Sequence, residues 1–305
     1  MEQPILVVGE SLVDVVRQPD GSEVDYAGGS AANVAIALSR LGQPVVFATS
    51  FADDPRGRMI AAHLARDSVR LAGDPHAVAR TSTALATIAP DGSASYAFDL
   101  DWRLNPVALE VPPLAVHACS IAAVLDPGAT DVAALLARWH GSATVTYDIN
   151  LRASITGAGD GVRSRIESLV DLCDVVKASD EDLEQLYPGR SADETAEALR
   201  TRGPLAVVVT RGGSGATSFT AGGRVDVQSP PVTVADTIGA GDTFMAGLIG
   251  ALAERGLLGG DRSTLAALDA HTWSDMLAFA ARAAAINVSR PGADPPYRRE
   301  LSPVG

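Results

Sequence analysis

An α/β fold, a sheet covered by helices on both faces, is what this chain of 305 residues predicts. Three observations carry that reading. Strand-like and helix-like patterns alternate along most of the sequence. Hydrophobic residues make up 47% of the chain and aromatics only 5%, so the core has to be aliphatic. Gly and Ala recur throughout, as closely packed helices and sheets require.

The elements follow in order. ILVVG, from Ile5, reads as a buried strand, and 32–41 as a helix ended by Gly42. VVFATS is a second strand and 57–66 a second helix. TSTALATIAPDGSASYAFDL then turns β-rich around Pro90, Asp91 and Gly92, which predicts a hairpin. Together with 14–26 it forms a small sheet standing off the main body. From Ser120 the alternation resumes, with SIAAVLD as a strand, a helix over 132–139, TVTYDIN, a helix over 162–170, and DVVKAS. The final third gives LAVVVT, a β-like pair across GATSFT and RVDVQS, and helices over 242–255 and 273–288. The Pro-rich tail beyond Pro291 reads as irregular. No repeat or linker divides the chain, so a single domain over 1–305 is expected.

Charge and composition exclude several classes of function. A formal charge of −13 opposes both nucleic acid and anionic membrane surfaces. MEQPILVVGE lacks the basic and long apolar regions of a signal peptide, and the apolar stretch around FMAGLIGALA is too short to span a bilayer. A cytoplasmic protein is expected. Cys119 and Cys173 sit in apolar contexts and read as buried thiols, not as a disulfide or metal site.

The chemistry concentrates in a few segments. In 236–242, DTIGAGD, Gly239 and Gly241 flank Ala240 just before an apolar helical run. Small residues let a ligand approach the backbone, and amides at a helix N-terminus favour negative charge. Asp242 there can take a proton from an attacking hydroxyl, or can simply cap the helix; this segment alone leaves both open. In 28–33, GGSAAN, the paired Gly28 and Gly29 admit a polyol to the backbone, and Asn33 offers both a donor and an acceptor. Asp14 supplies a carboxylate suited to vicinal hydroxyls. Asn150 and Arg152, in DINLR, end a strand, where ligands of open α/β sheets bind, and suit phosphate. Ser179 to Asp182 can seat magnesium through water, although a solvated first helical turn explains that run as well. The glycines after Thr210 and Arg211 precede a β-like segment, not a helix, so they make no dinucleotide loop. Lys177, the only lysine, follows Val176 and not glycine, which rules out a P-loop.

Taken together, these segments resemble the ribokinase-like (PfkB) carbohydrate kinase family over nearly the whole chain. GGSAANVAIALSRLG resembles the first family signature and DTIGAGDTFMAGLIGAL the second; DINLR, VKASDED, VVVTRGG and AAAINVSRPGA fall between and after them in the family's order. The resemblance implies a three-layer α/β/α sandwich with a mostly parallel central sheet and a β lid, formed by about 12–27 and 81–103. It implies transfer of the γ-phosphoryl of ATP to a monosaccharide hydroxyl, with Asp242 as base and the amides of Gly239, Ala240, Gly241 and Asp242 as anion hole. Asp14, Gly28, Gly29 and Asn33 would contact the sugar, with Arg103 reaching over it from the lid segment FDLDWRLNP. Asn150 and Arg152 would face the phosphates, while Lys177, Ser179, Thr210, Gly212, Gly215 and Asn287 would lie along the nucleotide. Asp182 would serve magnesium, although Ser179 stands where the family has asparagine. Carbonyls of Asp236, Ile238, Asn287 and Gly292 would hold potassium. Among family members GESLVDVV, GGSAAN and DINLR look most like fructokinases, with 2-keto-3-deoxygluconate kinases next. Ribokinases and nucleoside kinases stand further back, and from a different class the alternative is a catalytically silent sugar-binding regulator. The open strands of the lid imply a homodimer.

Overall fold

The computed structural model describes residues 2–89 and 94–301. The turn expected at Pro90, Asp91 and Gly92 lies outside them. Strand β1 (Ile5–Val8) opens the chain, and a β-ribbon of β2 (Leu12–Arg17) and β3 (Glu23–Gly28) leads into α1 (Ser30–Arg40). Next come β4 (Val45–Ala48), α2 (Pro55–Arg66) and a two-residue β5 (Arg70–Leu71), then β6 (Thr83–Ile88) and β7 (Ala94–Asp99). The middle of the chain alternates β8 (Ala115–Cys119), α3 (Gly128–Trp139), β9 (Thr144–Asp148), the short α4 (Ala153–Thr156), α5 (Asp160–Val170) and β10 (Val175–Ser179). Helices α6 (Asp180–Leu186) and α7 (Ala192–Arg200) lead to β11 (Ala206–Thr210), β12 (Ala216–Thr220) and β13 (Gly223–Val227). Helices α8 (Ala240–Glu254), α9 (Arg262–Ala266) and α10 (Ala270–Val288) close it.

Nine strands form the central sheet, in the order β13-β12-β11-β10-β9-β8-β1-β4-β5. The seven from β11 to β5 are parallel, and β12 and β13 are antiparallel additions at one edge. These strands are buried on both faces, which is why they read as continuous aliphatic runs. One face packs against α1, α2, α8 and α10. The other packs against α3, α5, α6 and α7. The small residues seen in the sequence set the spacing of the first layer. A Cβ at Gly247 of α8 would come within 2.9 Å of the Ala280 backbone in α10, so the two helices touch almost backbone to backbone.

The second sheet, ordered β3-β2-β6-β7, is mixed: β2 runs parallel to β6, and the other pairs are antiparallel. One of its faces, with Val13 and Val15, is buried in the main core. Two expectations are corrected here. The strand expected at SIAAVLD is instead Ala115–Cys119, just upstream; Ser120 takes φ 56° and the chain turns into a 3₁₀ segment, Ser120–Ala123. The lid strands end at Asp99, and Trp102 returns to the core, where its ring fills the space left by Gly128 and its indole N–H donates to the Ala122 carbonyl. Both cysteines are free and buried. Among the described residues no helix is long and apolar enough to cross a membrane.

Candidate active site

The topology locates a cleft. After β1 the chain builds β4 and β5 on one side; it then crosses to β8 on the other side of β1, and the connecting helices change faces. Ligands of such sheets bind beyond the carboxyl ends of the strands at this switch. A cleft of about 430 Å³ opens there. Its floor comes from Glu10 after β1, Ser120 after β8, and Asn150 and Arg152 after β9. Gly29, Ser30 and Asn33 of the α1 entrance form one wall and 237–242 the other; Leu12, Asp14, Ala84, Tyr96 and Phe98 descend from the small sheet. Tyr96 and Phe98 stack with their rings 9° from parallel.

Asp242 is the centre of the hydrogen bonding. It is the third residue of α8 but does not cap it: α8 has no side-chain cap, and Gly239, in the left-handed region at φ 73°, opens the helix. Instead Oδ1 accepts from the Ser30 hydroxyl at 2.7 Å and Oδ2 from Asn33 Nδ2 at 2.8 Å. Asn150, itself at φ 37°, donates to Ser30 Oγ at 2.8 Å. Residues in such sparsely populated conformations cluster at functional sites. The carboxylate is thus aimed across the cleft floor, beside the first amides of a fifteen-residue helix whose positive end faces the cleft.

Two residues of this network had no signal that sequence reasoning used. Ser30 lies within the glycine signature, between the paired glycines and Asn33, and its type alone assigns it no role. Glu10 was one acid in a strand-to-turn segment. Glu10 is buried, with Oε1 accepting the Ser30 amide and Oε2 the Ala122 amide, each at 3.2 Å. Burial pushes its carboxyl up to about 7; these amides partly offset that, and nearby Asp242 adds to it. Asp14 reaches the open cleft from β2, and the protein around it pushes its carboxyl up to about 6. Gly28 serves Asp14: a Cβ there would lie 2.5 Å from Asp14 Oδ2.

Other expected residues take different places. Arg103 pairs with Asp101 in solvent and does not line the cleft, because the chain has already turned inward at Trp102. Lys177, expected along the nucleotide, is 2% exposed and forms an ion pair with buried Asp148. Asn287, expected there too, is fully buried, and its Nδ2 donates to the Ile238 carbonyl at 2.8 Å. Asp182 forms a capping box with Ser179 at the start of α6, its Oδ2 accepting the Ser179 amide, while Oδ1 accepts the Leu151 amide. Thr210 and Gly212 stand farther along the same sheet edge, at the end of β11, outside the cleft lining. Gly215 is explained by the fold, since a Cβ would meet the Val227 carbonyl at 2.0 Å. Asp236 ties two loops together, accepting the Ile238 amide at 3.0 Å and the Gly292 amide at 2.9 Å; those bonds hold its carboxyl below the usual range. Among the described residues no cluster of His, Cys, Asp and Glu forms a metal site.

A strand-end cleft, an uncapped helix N-terminus and a carboxylate beside it are parts suited to phosphoryl transfer. Comparison with known proteins decides the family, since pfkB family carbohydrate kinase matches residues 3–299. The chain belongs to that family. This kinase is an ATP-dependent sugar kinase. It is 34% identical to the fructokinase of Rhizobium leguminosarum bv. trifolii over 266 residues, covering 83% of this chain and 81% of that protein. The structure of Xylella fastidiosa fructokinase with bound ATP superposes with a TM-score of 0.85 at 27% identity, covering 99% of this chain and 98% of that one. A double mutant of Vibrio cholerae O395 fructokinase, in a form with fructose, ADP and potassium bound, gives 0.74 at 28% identity, covering 95% and 94%.

Proposed function

We propose that this kinase phosphorylates fructose, as a single catalytic unit with its lid, in the cytoplasm and as a homodimer. The observation that carries the substrate reading is the charge of the sugar end. Asp14 and Asn33 line it, Glu10 lies behind with both oxygens on backbone amides, and among the described lining residues the one cation, Arg152, stands on the loop after β9 and not on the lid. The Asp14 carboxyl suits the hydroxyls of a neutral polyol and disfavours a sugar acid. That argues against 2-keto-3-deoxygluconate, and the fructokinase relatives point the same way.

In the mechanism this supports, a fructose hydroxyl lies against Asp242 and gives its proton to that carboxylate. Its oxygen bonds to the γ-phosphorus of ATP, and the bond from that phosphorus to the bridging oxygen breaks, leaving ADP. Amides of the 239–242 turn receive the charge on the transferring group, with Arg152 beside them. Ser30 and Asn33 hold Asp242 in position, and Glu10 in turn holds the Ser30 amide.

Two ions accompany this reading. Asp182 does not fit as a direct magnesium ligand, since both its oxygens already accept backbone amides. Magnesium is therefore proposed with the ATP phosphates, and no step runs through Asp182. The potassium site fits better. Asp236 and Asn287 draw the 236–239 turn to the loop at Gly292, and Asn287 Oδ1 is buried without a donor, as a cation ligand would be. Bound there, potassium would raise the positive potential beside the turn.

The test is ADP release from ATP with fructose, glucose, ribose, 2-keto-3-deoxygluconate and a nucleoside. Fructose should give the highest kcat/KM, by about tenfold or more. A preference for the sugar acid would overturn the substrate reading, and no sugar-dependent release at all would favour the silent regulator.

A further inference from the structure

Three adjacent strands break the aliphatic rule on one face of the central sheet. β8 places His117 there, β9 Thr146 and Asp148, and β10 Lys177, all buried. Thr144 and Ser179 end the same face, which otherwise carries Ala115, Cys119 and Val175, packed in the core with α1, α8 and α10. Lys177 and Asp148 are register partners, and Nζ donates to Asp148 Oδ2 at 2.9 Å. Apolar residues of similar volume commonly match or exceed the stability of a buried ion pair, so stability is a poor reason for one here.

Position gives a better reason. A Cβ on Gly241 would lie 2.9 Å from Lys177 Nζ. The glycine turn therefore has the cleft on one side and the ammonium on the other. A compact ammonium can pack against a backbone in this way, where a planar guanidinium fork would demand more room. It is also the chain's only lysine. Burial and the neighbouring Lys177 push His117 down to about 3, so the histidine stays neutral and adds no second charge. Burial disfavours the Lys177 ammonium, but the Asp148 carboxylate outweighs it and holds the group above its ordinary value.

We infer that Lys177, anchored by Asp148, is a positioning residue for phosphoryl transfer: a fixed positive charge behind the Gly241 turn that reinforces its amides against the transferring group. The inference rests on the reading of that turn as the anion hole. Lys177 touches neither substrate. It acts through the backbone in front of it, in a low-dielectric setting where a charge reaches farther than in water. Its effect should be largest where negative charge develops, in the transition state, and small on ground-state binding.

The test compares the wild type with Asp148→Asn and with the double variant Lys177→Met/Asp148→Asn, which replaces the pair by uncharged groups of similar size. The readouts are thermal melting and steady-state ADP release with fructose. The double variant should melt cooperatively near the wild type and lose about tenfold to a hundredfold in kcat, with both KM values within about threefold. Asp148→Asn alone, which removes the carboxylate that holds the proton on Lys177, should lose kcat by a comparable factor. Wild-type turnover in the folded double variant would overturn the inference, as would a loss confined to KM or wild-type turnover in folded Asp148→Asn. Loss of the native melting transition in the double variant would assign the pair to the fold and overturn it too. Failure of the kinase reading shows separately, as an absence of sugar-dependent ADP release by the wild type.

Discussion

Aspartate commonly caps a helix, yet Asp242 spends both carboxylate oxygens on Ser30 and Asn33 of another helix. Asp242→Asn keeps the shape but cannot take a proton, so kcat should fall by about 10²–10⁴. The melting temperature should change little, since no cap is lost and an Asn there can accept from Asn33 while donating to Ser30 Oγ, whose hydroxyl can turn to Cys119. Near-wild-type turnover would remove Asp242 as base. Glu10, behind it, makes a prediction about pH. Between pH 4.5 and about 7 an unfolded chain has released the Glu10 proton while the folded one keeps it. Stability should therefore fall with rising pH across that window, by about 1.4 kcal/mol per unit from this group. Glu10→Gln has no such proton, so its stability relative to the wild type should improve between pH 5 and pH 8. His117 works in the opposite direction, losing stability as pH falls below 6.5, but it is present in both proteins and cancels in the difference. Parallel stability profiles would show that Glu10 does not titrate in this way.

At the level of elements, the sequence was most readable where pattern and chemistry coincide. Glycines before an apolar helix marked the α8 turn, and aliphatic runs marked the parallel strands. Reading failed where one pattern serves two structures. SIAAVLD has the composition of a strand, and only the positive φ of Ser120 makes it a turn. The segment through Arg103 continues the expected lid in sequence, yet Trp102 turns it into the core. Burial of Lys177 and Asn287 was equally hidden, because residue type alone does not say which side of a turn a side chain occupies. The junction of α8 and α10 bears the next prediction. Asn287, on α10, and Asp236, before α8, pin the turn, and Asn287 Oδ1 lacks a donor. Potassium should raise both the turnover and the melting temperature relative to sodium or a bulky organic cation. The melting readout tests binding even if chemistry is not limiting. Identical rates and melting curves in all three salts would argue that no cation binds there.

For the whole molecule, the question is what covers the outer surface of the lid. One face packs on the core through Val13 and Val15. On the other, the strand register aligns Tyr26, Asp14, Ala84 and Phe98 in one row, and Val24, Val16, Ala86 and Tyr96 in the next. The middle of this face looks onto the cleft, but its β3 margin is exposed: Tyr26 is 56% accessible and Val24 43%. Strands β3 and β7 also end the sheet with open edges. A chain with a formal charge of −13 repels its own copies at long range, so association has to come from an apolar patch of this kind and should strengthen with salt. A two-fold axis through the lid would set one such margin against its equal and cover both. Light scattering at micromolar concentration should therefore give twice the 31.3 kDa mass of one chain. The double variant Val24→Lys/Tyr26→Lys alters two residues outside the cleft lining. It should run as a monomer with an unchanged melting transition of the main body, because neither side chain belongs to the core. A wild-type monomer would sink the proposal outright, and a variant that stays dimeric would move the interface away from the lid.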